Sequence, residues 1–236
     1  MGTARCSVAT QMPDESRLQA ETGPGAVAPD GSPVDAYLRL PPGPTVELLH
    51  RAMGRPSNVL ELGAGVGRIT HDLIARGHRV TAVDQSEEML AHIRGAETVL
   101  ANIEGLRLGR TFDAVILGSQ LVNTDDDGLR QSFLAACARH LAPDGKVLIE
   151  RHPPGWAPRE GDLGSRGDLR LSLSGVPVEG SLVSATVVYQ AEGTRWEHPF
   201  TARVLDDAEL ARELGAVGLS IAGTLDPDGR WIVARA

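Results

Sequence analysis

A short apolar strand runs straight into alternating glycines and then into a helix: Asn58-Val59-Leu60-Glu61-Leu62, then Gly63-Ala64-Gly65-Val66-Gly67, then Arg68 to Arg76. No other feature constrains the fold as much. Glycine permits φ > 0 and has no Cβ, so the backbone can turn sharply off the strand and lie against a ligand. The helix behind it offers free N–H groups at its first turn. This unit then recurs in outline. Val80 to Val83 reads as a second strand, with a helix from Ser86 to Arg94 capped by Ser86 and carrying Glu87 and Glu88 in its first turn. Thr98 to Ala101 and Phe112 to Leu117 read as strands three and four. A long helix spans Asp126 to Leu141, and Val147 to Glu150 reads as strand five. Strands spaced by helices predict a parallel sheet with helices on both faces and right-handed crossovers.

After Glu150 the pattern changes. Pro153 to Gly167 reads as a Gly/Pro-rich loop. Leu169 to Leu173, Ser181 to Gln190 and Arg195 to Leu205 read as successive antiparallel strands. A helix from Asp206 to about Leu214 comes next, and Ser220 to Thr224 with Arg230 to Ala234 closes the chain as a hairpin around Asp226-Pro227-Asp228-Gly229. Ahead of the sheet, Asp35 to Leu40 and Thr45 to Met53 read as helices. The expected organisation is a flexible tail or lid over 1–33 and one α/β domain over 34–236, with an antiparallel insertion over about 168–205.

Composition narrows the function. With 42% hydrophobic and 23% charged residues, the chain is globular and not a disordered or fibrous protein. A net charge of −8 disfavours nucleic acid and anionic lipid as partners. The first 30 residues lack a hydrophobic signal core and no apolar run approaches the length of a membrane span, so a cytoplasmic, membrane-free protein is expected. Cys6 and Cys137 stand at no motif spacing and read as reduced thiols.

Two acids give the glycine loop its chemistry. Glu61, two residues before Gly63, places a carboxylate at the carboxyl end of a strand, facing the loop. That suits a cationic or hydroxylated ligand better than a pyrophosphate. Asp84 ends the second strand, where an acid accepts hydrogen bonds from ribose hydroxyls. The dinucleotide fingerprint G-x-G-x-x-G would need glycine at 68; that position is Arg68, and the third glycine is Gly67.

These residues resemble the S-adenosylmethionine (SAM) site of class I methyltransferases, whose first motif is E/D-x-G-x-G-x-G. Val83 to Leu90 resembles the family's second motif. Leu141-Ala142-Pro143-Asp144-Gly145-Lys146 resembles its L-x-P-G-G turn, with Asp144 in place of the first glycine. The resemblance covers Tyr37 to Glu150. It implies a Rossmann-like, doubly wound, mostly parallel seven-stranded α/β sheet with the insertion after strand five. It implies SAM as cofactor, with Gly63, Gly65 and Gly67 beneath it, Glu61 at its ammonium and Asp84 at its ribose. Met89 and Ile103 would flank the adenine and Asn102 would bond its exocyclic amine, although the family often has Asp there. Tyr37, Gln85 and Leu117 would complete the cofactor site. A SAM-binding protein that does not methylate and a nicotinamide oxidoreductase are the alternatives.

The acceptor is read from the segments after strands four and five. Base-methylating enzymes carry Asp/Asn-Pro-Pro-Tyr/Phe after strand four; Leu117 to Thr124 carries none. No Asp ends that strand, as a catechol-type magnesium site would need, and Asp125-Asp126-Asp127 reads as a helix cap, so no metal is expected. Ser119, Asn123, Glu150 and Trp156 are candidates for the acceptor pocket, joined by Tyr189 and His198 from the insertion. His152 is the candidate general base, because histidine ordinarily titrates near neutrality. The layout is similar to small actinobacterial natural-product enzymes, notably deoxysugar N,N-dimethyltransferases, in which the insertion roofs the acceptor and helps the chain dimerise. Thr124 stands where those enzymes have an aromatic residue or histidine. The expected function is methylation of an amine or hydroxyl on a small molecule.

Overall fold

The computed structural model describes residues 23–236. Helices α1 (Val34–Arg39) and α2 (Thr45–Met53) precede the sheet. Then come β1 (Asn58–Leu62), α3 (Arg68–Ala75), β2 (Arg79–Asp84), α4 (Glu87–Leu90), β3 (Glu97–Leu100), β4 (Phe112–Leu117), α5 (Asp127–His140) and β5 (Leu141–Glu150). The insertion holds β6 (Gly161–Arg166), β7 (Leu169–Ser174), β8 (Val178–Glu179), β9 (Leu182–Ala191) and β10 (Thr194–Arg203). Helix α6 (Asp207–Gly215) and the hairpin β11 (Ser220–Thr224) and β12 (Trp231–Arg235) finish the chain.

Seven strands form one sheet in the order β11-β12-β5-β4-β1-β2-β3. Strands β1 to β5 are parallel, β12 runs antiparallel to β5, and β11 runs antiparallel to β12. The doubly wound Rossmann-like α/β sheet is therefore as expected. Strand order reverses between β1 and β4, and ligands of such sheets bind in the crevice at that switch point, beyond the carboxyl ends. Apolar side chains cover both faces. Leu60, Leu62, Val115 and Leu117 pack against Phe133, Leu134 and Cys137 of α5. Val59, Ala114, Ile116 and Leu148 pack against Leu49, Ile69 and Leu73 of α2 and α3. Strands buried on both sides explain why β1, β4 and β5 read as continuous apolar runs.

Several boundaries differ from the sequence reading. The helix expected over Ser86 to Arg94 is a single turn, although Ser86 does cap it, accepting the Met89 N–H at 3.2 Å. Strand β5 starts at Leu141, because the Pro143-Asp144-Gly145 turn is absorbed as a register shift against β4. The Gly/Pro-rich loop over Pro153 to Gly167 contains β6, so the insertion begins at Gly161. Gly161 and Gly164 take φ of +132° and +80° and the register slips between Asp162 and Gly164, which erased the alternation that marks a strand. Asp126 caps α5 through the Leu129 N–H at 2.9 Å, as expected.

The four long insertion strands form an antiparallel sheet, β10-β9-β7-β6. Its inner face carries Leu171, Leu173, Val187, Tyr189, Trp196, His198 and Phe200, while Ser184, Gln190, Arg195 and Thr201 face outward. Polar ties hold this roof to the main sheet. Thr124 bridges Ala202, and Asp127 of α5 pairs with Arg203 at 2.7 Å.

Residues 1–22 of the expected tail lie outside the described residues. Residues 23–33 form a hydrogen-bonded loop, with Ala28 N–H on the Ser32 carbonyl at 2.9 Å and Val34 N–H on the Ala26 carbonyl at 3.0 Å. This strap reaches across the crevice. Ala28 and Val34 pack on Val66 and Met89, and Trp196 Nε1 of the roof donates to the Pro24 carbonyl at 2.9 Å.

Candidate functional site

The glycine loop leaves β1 at the switch point with Gly63, Gly65 and Gly67 all left-handed, at φ of +71°, +54° and +82°. They are glycines for different reasons. A Cβ on Gly63 would stand 2.6 Å from Leu121 Cδ1, and one on Gly67 would strike Ile93 and His71. A Cβ on Gly65 would meet nothing within 4 Å. Gly65 therefore keeps an open surface where a ligand can lie against the backbone.

Both acids flank this surface. Glu61 is buried and accepts the Thr70 hydroxyl at 2.5 Å. Burial pushes its carboxyl up to about 7, against the Thr70 bond and the Arg68 charge. A buried acid with one hydrogen bond is held for a cationic group, since its ionised form lacks compensation. Asp84 accepts the Gly65 N–H at 2.7 Å and the Ser86 N–H at 2.9 Å, one on each oxygen. It braces the loop and caps the β2–α4 turn, and each oxygen keeps a lone pair for a hydroxyl. Burial raises its pKa, opposed by those N–H groups. An open cradle, a buried acid and a braced carboxylate fit SAM, which brings an ammonium and ribose hydroxyls.

The other cofactor candidates are placed unevenly. Met89 is buried beneath the strap beside Tyr37. Ile103 packs in the core, while Gln85 and Asn102 are exposed. Leu117 is fully buried in the core that α5 covers. Tyr37 instead joins a polar cluster beneath the roof. Its hydroxyl lies 3.5 Å from His198 Nδ1, and its ring stands 6.2 Å from that of Tyr189. Burial raises both phenols and lowers the imidazole.

At the neighbouring strand ends, Ser119 and Gln120 take φ of +53° and +54°. Left-handed backbone at two successive non-glycine residues is costly and marks functional loops. It aims the Ser119 N–H at Glu150 Oε2, 2.8 Å away. Burial raises the Glu150 pKa, opposed by that N–H and by Arg230 and Arg68. Next along, His152 stacks on Trp156 with centroids 3.7 Å apart and planes within 5°. Phe200 of the roof stands 6.5 Å from His152 and 6.4 Å from Trp156. Sequence reasoning missed Phe200; its inward phase on β10, shared with Trp196 and His198, was the available signal.

Two expectations change here. His152 does not titrate near neutrality: burial, with Arg230 adding, lowers it to about 4, so the imidazole is neutral. Asn123 does not line the acceptor pocket. It is buried, its Nδ2 donates to the Arg203 carbonyl at 2.7 Å and its Oδ1 accepts the His152 N–H at 2.8 Å. It joins the roof to the His152 loop. A hollow of about 250 Å³ lined by Met53, Asp113, Pro143 and Lys146 lies at the opposite ends of the strands and includes none of these groups.

A Rossmann-like sheet whose switch point carries a glycine cradle with a buried acid before it and a carboxylate after the next strand defines a class I methyltransferase fold. Residues 59–145 match a family model described as a methyltransferase domain. Over 194 residues the chain is 31% identical to an uncharacterized methyltransferase of Mycobacterium tuberculosis, spanning 77% of this chain and 75% of that protein. The chain belongs to the SAM-dependent methyltransferases, with SAM as cofactor. Its fold is similar to the CcbJ methyltransferase from Streptomyces caelestis, with a TM-score of 0.69 and 21% identity over 84% of this chain and 90% of that one. It is similar also to the sugar N-methyltransferase KedS8 from Streptoalloteichus, at 0.68 and 17% over 100% and 99%.

Proposed function

We propose that this methyltransferase acts on an amine or hydroxyl of a small molecule held beneath the antiparallel roof, in natural-product biosynthesis. The observation that carries the reading is the aromatic wall. His152 and Trp156 from the β5 loop and Phe200 from the roof converge just beyond Glu150, at the carboxyl end of β5. That is a place for a small molecule with an apolar ring or face and one polar reacting group. The fold likeness to a sugar N-methyltransferase supports the pathway assignment.

SAM, when bound, supplies a methyl already activated for in-line displacement. The chain's residues then supply placement and proton handling. Gly63, Gly65 and Gly67 cradle the cofactor, Glu61 meets its ammonium and Asp84 its ribose hydroxyls. Met89, Ile103 and Asn102 take the adenine. Strap and roof exclude water. For the proton, Glu150 is the better acceptor: burial has raised its basicity, whereas His152, at about 4, is a weak base. His152 then serves chiefly as a neutral stacking surface.

The test is mass-spectrometric detection of S-adenosylhomocysteine and methylated product with a panel of small amines and alcohols. With a turned-over acceptor, E150Q should lower kcat by about 10²–10⁴, while H152A should chiefly raise the acceptor KM. The reverse pattern would return the base role to His152.

A further inference from the structure

The β11–β12 hairpin carries a charge to the acceptor end of the crevice. Arg230 directly precedes β12, and its carbonyl accepts the Arg151 N–H at 2.8 Å. It therefore stands across the ladder from the residue between Glu150 and His152. Gly229 beside it lies against the His152–Trp156 loop: a Cβ there would be 3.9 Å from Pro154 Cδ.

Among the described residues no carboxylate pairs directly with this guanidinium. Arg230 is half-buried. Asp226 in the same turn accepts the backbone N–H groups of Arg230 and Trp231 on its Oδ1, at 2.8 and 3.2 Å. Glu150 accepts the Ser119 N–H on its Oε2. The fully buried arginines differ. Arg151 reaches Asp207 at 2.5 Å, and Arg130 reaches Asp127 at 2.7 Å. Arg230 makes no such pair, yet its charge is felt by both Glu150 and His152. In a chain of net charge −8, a half-buried cation without a carboxylate partner beside the acceptor wall is a site for an anion from outside.

We propose that Arg230 binds an anionic group of the methyl acceptor, a carboxylate or a phosphate, and thereby selects acceptors that carry one. The inference rests on the placement of the acceptor between Glu150 and the aromatic wall. The acceptor so defined is bifunctional: its reacting nitrogen or oxygen lies toward Glu150 and Ser119, its flat face against His152 and Trp156, and its anion at Arg230. Guanidinium suits the anion role because its N–H groups match the oxygen spacing of carboxylate and phosphate.

The probes are benzylamine, 4-(aminomethyl)benzoate and 4-(aminomethyl)phenyl phosphate, titrated into the full chain saturated with S-adenosylhomocysteine. At least one anionic probe should bind about tenfold or more tightly than benzylamine, and which one does so separates carboxylate from phosphate. R230Q should bring that preference to within about twofold, and R230K should restore part of it. The affinity for S-adenosylhomocysteine should be the same in all three proteins. An anionic probe that binds no better than benzylamine, or a preference that survives R230Q, overturns the proposal. Failure of the wild-type chain to bind S-adenosylhomocysteine would instead overturn the reading of the crevice beneath it.

Discussion

Glu61 is a carboxylic acid that the fold holds away from water. Its carboxyl is raised from 4.5 to about 7 by burial, so the ligand-free fold favours the protonated form. Its contribution to stability is complete below about pH 4.5 and is lost as pH rises through 7. E61Q keeps an oxygen for the Thr70 hydroxyl and removes the charge. Urea unfolding without ligand should find the variant close to wild type near pH 4.5 and more stable at pH 8, by on the order of 3 kcal/mol at most. The same variant should bind S-adenosylhomocysteine at least tenfold more weakly, roughly 1.4 kcal/mol, since the ammonium loses its counter-charge. Identical pH dependence in the two proteins would show that Glu61 is solvated and ionised. The sequence made Glu61 and Asp84 legible because a motif fixes both against the glycines. It could not show that Asp84 also holds the Gly65 and Ser86 N–H groups, which depends on how β2 sits beside β1.

Among the elements, Asn123 joins the roof to the His152 end of the β5 loop. Asn123 satisfies the Arg203 carbonyl and the His152 N–H in a place closed to water. Asn123→Ala leaves both unpaired and should cost about 2–4 kcal/mol in a thermal or urea melt. Acceptor turnover should fall while S-adenosylhomocysteine affinity holds, because the cofactor cradle belongs to β1 and β2. Loss of both together would make Asn123 a general support of the fold. Strands β1, β2 and β4 were legible from apolar runs alone. Strand β6 was not, because exposed residues with left-handed glycines give no alternation. The single-turn α4 was overread because a good cap and first turn say nothing of where a helix stops.

For the whole molecule, the crevice is shared by parts far apart in sequence: a strap before the sheet, the glycine loop, the β5 loop, the roof and the final hairpin. A ligand seated among them ties these parts together and binds only the folded chain. At a hundredfold excess over Kd it should stabilise by about 2.7 kcal/mol, a Tm rise of roughly 5–10 °C for a chain of this size. The cofactor half of the crevice was legible because it is local to one βαβ unit. The acceptor half was not, since Phe200 and Arg230 reach His152 only through tertiary pairing across a long separation in sequence. His152 itself was visible, but its neutral state comes from burial between Trp156 and the roof.

The most direct test of the account is calorimetric titration of S-adenosylhomocysteine into wild type and Gly65→Asn. Asparagine tolerates left-handed backbone, and a Cβ at position 65 meets no protein atom within 4 Å, so the fold should persist. The new side chain occupies the surface assigned to the cofactor. Wild type should bind with micromolar Kd, roughly −7 to −8 kcal/mol, and the folded variant should lose at least tenfold of that affinity. Equal affinity in the two proteins would place the cofactor elsewhere and contradict the site described.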